Sequence, residues 1–146
     1  MDQVLVTRLH DLAKSHGSVR LCLHSSAQEQ THLMVIAQTA DHYAPPKKHP
    51  KYGKWIQILE GELSVVTFSD SGSVLTNDRL KPQQSFGCYI ARGVYHMNFP
   101  LSNVAVFLEA VAGPFVRQDS NLNAEWAPSG ADVRAAKRFR DALLLD

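Results

Sequence analysis

Cysteine is scarce in this chain of 146 residues: two, Cys22 and Cys88, with no CxxC pair and no zinc-ribbon spacing. A domain of this length needs no disulfide, so both read as ordinary thiols. Charge of one sign is also missing, because 15 Lys and Arg stand against 14 Asp and Glu, a formal net charge of +1. That balance gives no electrostatic case for nucleic acid or an anionic membrane as partner. No apolar run approaches the roughly 18 to 20 residues that span a bilayer. The start, Met1-Asp2-Gln3-Val4-Leu5, lacks a basic stretch followed by an apolar core, so no signal peptide is expected and a cytoplasmic protein is the default. GxSxG, P-loop, GxGxxG and HExxH signatures are all lacking, and neither cysteine sits in a nucleophile motif.

What is present is regular punctuation. Gln3 to Ser15 carries Val4, Leu5, Leu9 and Leu12 on one stripe, predicting a short amphipathic helix that ends at Gly17. Val19 to His24 alternates, with Arg20, Cys22 and His24 sharing one face of a strand. Further strands are predicted at His32–Ala37, Trp55–Leu59, Leu63–Phe68, Val74–Leu80, Phe86–Ile90, Val94–Phe99 and Val104–Ala112. Turn signals part them: Glu60-Gly61-Glu62, the hairpin signal Asp70-Ser71-Gly72, Lys81 to Ser85, and Arg92-Gly93. Asp41 to Tyr52 is turn-rich. Such spacing indicates an all-β sandwich or barrel. Past Gly113-Pro114-Phe115 comes an irregular arm anchored by Trp126. Ala131 to Leu145 is then helical, with Val133, Ala136, Phe139 and Leu143 on one stripe. The whole reads as one domain: an N-terminal helix in 1–16, a barrel over 18–115, and an arm and helix over 116–146.

Seven histidines carry the chemical interest, because neutral imidazole is the commonest metal ligand. The segment His42-Tyr43-Ala44-Pro45-Pro46-Lys47-Lys48-His49-Pro50, then Leu59-Glu60-Gly61 and Ala91-Arg92-Gly93-Val94-Tyr95-His96, resembles the two motifs of the cupin superfamily. In that family an HxH, a glutamate and a later histidine converge in a small β-barrel (double-stranded β-helix, or jelly roll) and hold a divalent metal. More narrowly the chain is similar to the WbuC-type cupins. Arg20, His24, Tyr43-Ala44-Pro45-Pro46, Leu59 to Leu63, Phe68 to Gly72, Phe107-Leu108-Glu109, Gly113-Pro114-Phe115 and Trp126-Ala127-Pro128 carry that likeness. It implies a cupin-fold metalloprotein of unestablished reaction, linked to surface-polysaccharide metabolism.

The departures from the motif matter as much. Lys54 stands at the glutamate position, Lys47 at the first histidine, and Ala91 at the proline, leaving His49 and His96 of the four-ligand set. A divalent metal (Zn, Fe, Mn or Ni) is therefore an expectation only through His49 and His96, a weak pair. Three outcomes stay open for Lys47 and Lys54. They can swing out along the rim, face inward with Arg20 as an anion pocket, or supply a base or amine nucleophile.

His24 shares the Arg20 face and is a pocket candidate; His42 is a substitute ligand candidate. His10, His16 and His32 read as surface or helix-end residues. Glu109, in an otherwise apolar run, either faces solvent or pairs with a buried cation such as Arg20 or a pocket lysine. Arg134, Lys137, Arg138 and Arg140 read as a solvated helix face, and Trp55, Tyr89, Tyr95 and Phe99 as core or interface.

Two function classes follow: a cupin binding a small sugar-derived or anionic ligand through Arg20, His24, Lys47 and Lys54, or a metal-dependent isomerase, epimerase or dioxygenase using His49 and His96. A purely structural or regulatory role has no supporting feature. Small cupins commonly pair, so a homodimer is expected, with Val104 to Val111 as a suitable apolar strand edge.

Overall fold

Asp2 starts the first helix by accepting the Leu5 amide on its carboxylate (3.0 Å), and Gly17, at φ 74°, ends it where a left-handed residue is required. The computed structural model describes residues 2–116 and 121–144. The chain runs α1 (Gln3–His16), β1 (Ser18–Cys22), β2 (Thr31–Thr39), β3 (Lys47–Lys48), β4 (Lys54–Glu60) and β5 (Leu63–Phe68). It continues through β6 (Val74–Leu80), β7 (Gly87–Ile90), β8 (Tyr95–Pro100), β9 (Val104–Ala112) and β10 (Leu122–Asn123) to a second helix, α2 (Val133–Ala142). The tail of that predicted helix, Leu145, lies outside the described residues, as do 117–120 of the arm.

Two antiparallel sheets of five strands face each other, ordered β1-β2-β9-β4-β7 and β10-β3-β8-β5-β6. The all-β barrel framed by terminal helices is thus the observed architecture. Glu60-Gly61-Glu62 joins strands of different sheets rather than a hairpin. Gly61 turns there at φ 81°, and a Cβ on it would lie 2.4 Å from the Val104 carbonyl oxygen. The Asp70-Ser71-Gly72 signal does close a hairpin, β5 to β6.

Polarity changes along the barrel axis. At the closed end Ile36, Ile56, Ile58, Leu63, Val65, Leu80, Ala105 and Phe107 pack into one core. Towards the open end the same inward-facing rows carry Lys54, Glu109 and His96. Part of each sheet's outer face is covered: α1 lays Val6, Leu9 and Ala13 on Val35, Ala37, Val104 and Val106. The arm and α2 lay Trp126, Phe139 and Leu143 on Val66, Phe68, Met97 and Phe99.

Three expectations are corrected. The buried stripe of α1 is Val6, Leu9 and Ala13, while Val4 is 76% exposed and Leu12 43%. Spacings of three and four fit both stripes, and the small Ala13 lets this one approach the sheet. Val133 is exposed because α2 meets the barrel only from Ala136 onward. Finally, β9 is no edge. It is hydrogen-bonded to β2 on one side and β4 on the other, so Val104 to Val111 cannot add a partner's strand. Among the described residues no helix is long and apolar enough to cross a membrane.

Candidate binding site at the open end of the barrel

Strand register assembles the site. Cys22 lies opposite Met34, Met34 opposite Glu109, and Glu109 opposite Ile56, so these side chains share the inner face of the first sheet. One step towards the open end, His32 pairs with Val111 and Val111 with Lys54. From the second sheet β3, only two residues long, sets Lys47 directly opposite His96 on β8. The result is a cavity of about 300 Å³ lined by Arg20, His24, Lys47, His49 and Lys54, with Glu109 and Met34 deeper and Pro114 and Phe115 at the mouth. His96 packs beside it, its ring centroid 5.1 Å from that of His49. The pocket residues and both metal-ligand candidates read from the sequence therefore lie in one place.

Lys54 does not reach for the rim. Its side chain is 3% exposed, and its Nζ donates to Glu109 Oε1 at 2.8 Å. Burial alone would raise the Glu109 carboxyl. The Lys54 charge and hydrogen bond, with lesser help from Lys47 and His96, hold it below its ordinary value. Such a pair adds little net stability, yet losing one partner strands a buried charge.

Lys47 is half-buried, and its side chain makes no hydrogen bond or ion pair among the described residues. Burial first, then the charges of Lys54 and Arg20, lower its proton affinity, and Glu109 opposes them. An ammonium in this position accepts an anion, and one that gives up its proton more readily can also serve as base or amine nucleophile.

His96 is 1% exposed, and its Nδ1–H donates to the Val94 carbonyl at 2.9 Å. Nε2 is therefore a bare lone pair, and it has no partner among the described residues. Burial first, then the Lys54 charge, push the imidazole down to about 3. A lone pair so placed suits a metal, but the set around it does not. Glu109 is engaged by Lys54, and no three His, Cys, Asp or Glu among the described residues are arranged to hold an ion. An ammonium about 4 Å from a dication is repelled by about 8 kcal/mol at an effective dielectric of about 20. The donor set does not fit a divalent metal.

His32 was expected at the surface and is instead 5% exposed, its ring stacked on His24 at 4.1 Å and 14°. The signal was available. His32, Met34 and Ile36 alternate onto the inner face, and the β1–β2 register continued outward brings His24 against His32. His24 is held by its Nδ1–H donating to the Leu33 carbonyl at 3.1 Å.

The other candidates lie elsewhere. His42 is half-buried outside the cavity, and burial lowers its proton affinity. His10 bonds Glu60 on the outside of the barrel, and His16 is exposed at the end of α1. On α2, Arg134, Lys137 and Arg138 are exposed, but Arg140 is not a solvated residue: it donates to the Ala40 carbonyl and ties the helix down. Cys22 and Cys88 are free thiols.

The fold has known counterparts. The oxalate decarboxylase of Lactobacillus farciminis, solved as a formate complex, aligns with a TM-score of 0.57 and 16% identity over 73% of this chain and 31% of its own. This chain thus spans less than a third of that enzyme. Oxalate oxidase in complex with the substrate analogue glycolate aligns at 0.57 and 17% identity, over 88% of this chain and 70% of its own. The cupin domain of Schizosaccharomyces pombe Cnp3 aligns at 0.53 and 17%, over 65% and 60%. At such identities the likeness is one of fold, and the fold is a cupin β-barrel. No curated protein matches the chain. A family model described as a domain of unknown function, DUF6016, matches residues 1–80.

Two outcomes follow from the electrostatics. Glu109→Gln leaves the Lys54 ammonium buried without its counter-charge and is expected to cost about 3–5 kcal/mol in urea unfolding; Lys54→Met/Glu109→Leu is expected to recover most of it. His96 is held neutral in the fold, so it contributes nothing above its ordinary value of 6.5, where both states are neutral. As pH falls from 6.5 towards 3 the unfolded state takes up the proton first, and stability is lost at up to about 1.4 kcal/mol per pH unit. Glu109, with its lowered value, adds to the loss only below 4.5. Unfolding free energies measured between pH 8 and 4 are expected to flatten in His96→Gln.

Proposed function

The chain belongs to this family of unknown function, and within its cupin barrel we propose a binding site for a small anionic, sugar-derived ligand. The single observation that carries this reading is Lys47: a half-buried ammonium, facing the cavity, with no hydrogen bond or ion pair among the described residues. Lys54 is already matched by Glu109, so the uncompensated charge is that of Lys47 and of Arg20 at the mouth. A carboxylate on Lys47 gains charge-assisted hydrogen bonds in a partly desolvated space, and Arg20 can grip it with two parallel donors. The cavity, about 300 Å³, has room for one small molecule. The stacked His24–His32 pair and Phe115 form the wall on which an uncharged part of the ligand rests.

In this reading the partner is a small molecule, neither nucleic acid nor membrane, since a net charge of +1 supplies no field for either. A WbuC-like role in cytoplasmic surface-polysaccharide metabolism, by a homodimer, fits a sugar-acid ligand and rests on the sequence likeness alone. A second reading, a metal-dependent isomerase, epimerase or dioxygenase built on His49 and His96, is favoured by the bare Nε2 of His96. It is opposed by the two lysines that share that space.

The test is isothermal titration with galacturonate and gluconate, with galactose as the neutral control, on the parent protein and Lys47→Met. The acids are expected to bind and galactose not, with affinity at least about tenfold lower in Lys47→Met and salt-sensitive in the parent. Equal binding of galactose, or unchanged acid binding by Lys47→Met, would contradict the proposal.

A further inference from the structure

Among the described residues that line the cavity, Lys47 is the lysine whose side-chain nitrogen is unengaged. Lys54 is 3% exposed and donates to Glu109, the single acid of that lining, and Lys51 is not free either. The position of Lys47 is fixed from both sides. Its backbone pairs with His96 on β8 and with Asn123 on β10, and the fully buried Pro46 before it accepts the Ala124 amide at 2.9 Å. Arg20 on β1 and Lys54 on β4 line the same cavity from the other sheet. An ammonium has three donors, and Glu109 takes one of those on Lys54. A carboxylate held by Arg20 and the remaining donors of Lys54 therefore meets, across the cavity, an amine with no partner of its own.

We infer that Lys47 is an imine-forming residue and that the ligand of this site is an oxo acid, a carboxylate whose chain also carries a free aldehyde or ketone. The inference rests on the anion reading, in which Lys47 and Arg20 draw the acid in, and adds the bond that follows. Lys47 sits half-buried among positive neighbours, and the one acid of the cavity is held by Lys54, so nothing there retains the Lys47 proton. Once that proton has left, the Nζ lone pair attacks the carbonyl carbon and the carbonyl π pair moves to oxygen. The carbinolamine so formed then loses its oxygen as water through the open end of the barrel. Of the three hydrogens on the starting ammonium, two leave in the water and one stays on the iminium nitrogen. Charge is conserved, and no oxidant, reductant or co-reactant is needed.

The experiment incubates the protein with pyruvate and sodium cyanoborohydride, which reduces an imine to a stable amine, and locates the adduct by peptide mass spectrometry. Acetone is the carbonyl without an acid, and gluconate, followed by isothermal titration, is the acid without a carbonyl. The parent is expected to gain one adduct, the mass of pyruvic acid less one oxygen, on Lys47. It is expected to form at least about tenfold faster than with acetone, and about tenfold more slowly in Arg20→Met. Lys47→Arg keeps the charge without a lysine amine, so it is expected to bind gluconate still and to form no adduct in the cavity.

Adducts spread over exposed lysines with no preference for Lys47 overturn the inference, as does a parent-like level in Lys47→Arg. Equal speed with acetone, or an unchanged rate in Arg20→Met, overturns it too. Binding of gluconate and pyruvate by titration with no adduct contradicts the imine and leaves the anion reading standing. Absence of both binding and adduct contradicts the two together.

Discussion

The buried ion pair between Lys54 and Glu109 is the interaction on which the open end of this barrel depends. It joins neighbouring strands, β4 and β9, at 2.8 Å, in a buried position where either residue alone would be an uncompensated charge. Its consequences spread to the groups beside it. The Lys54 charge holds the Glu109 carboxyl low, adds to the burial that keeps His96 neutral, and presses on Lys47, so that Lys47 is left as the ammonium without a partner. An anion site and a poor metal site are two results of one arrangement of charge.

The rest of the barrel makes that arrangement possible by not taking part in it. Ile56, Ile58, Leu63, Val65 and Phe107 fill the closed end, α1 covers part of one outer face, and the arm with α2 covers part of the other. With the apolar packing complete there, the inward-facing positions near the opening are free to hold polar side chains whose net contribution to stability is small. The cupin fold supplies the frame, and its reach into function ends there, since one barrel hosts unrelated activities.

Much of this frame was legible in the sequence. Period-2 alternation and turn residues located eight strands and the Asp70-Ser71-Gly72 hairpin, because both signals are local. Signals that depend on pairing were not legible. The inward direction of Lys47 and Lys54 rests on register, where a slip of one residue reverses every side chain. Glu109 left two readings open because its counter-charge lies on another strand, 55 positions away. His32 was misplaced although its alternation with Met34 and Ile36 marked the inner face, since a lone histidine at a strand start looks solvated until the neighbouring strand brings His24 against it. β3 is only two residues long, below the length at which alternation can be read, yet it places Lys47 against His96. The edge expected at Val104 to Val111 failed for the same reason: strand order in a sheet is not a local property.

The central claim is that the open end of the barrel is an anion site organised around lysine charge. The most direct measurement is anomalous diffraction from crystals of the untagged protein soaked in bromide, with data also collected at the zinc and manganese edges. The account predicts a bromide peak inside the barrel within contact of Lys47 Nζ, with Lys54 still on Glu109 and no metal signal between His49 and His96. A metal peak bound by those two imidazoles, with Lys54 swung away from Glu109 and no bromide in the barrel, would contradict it.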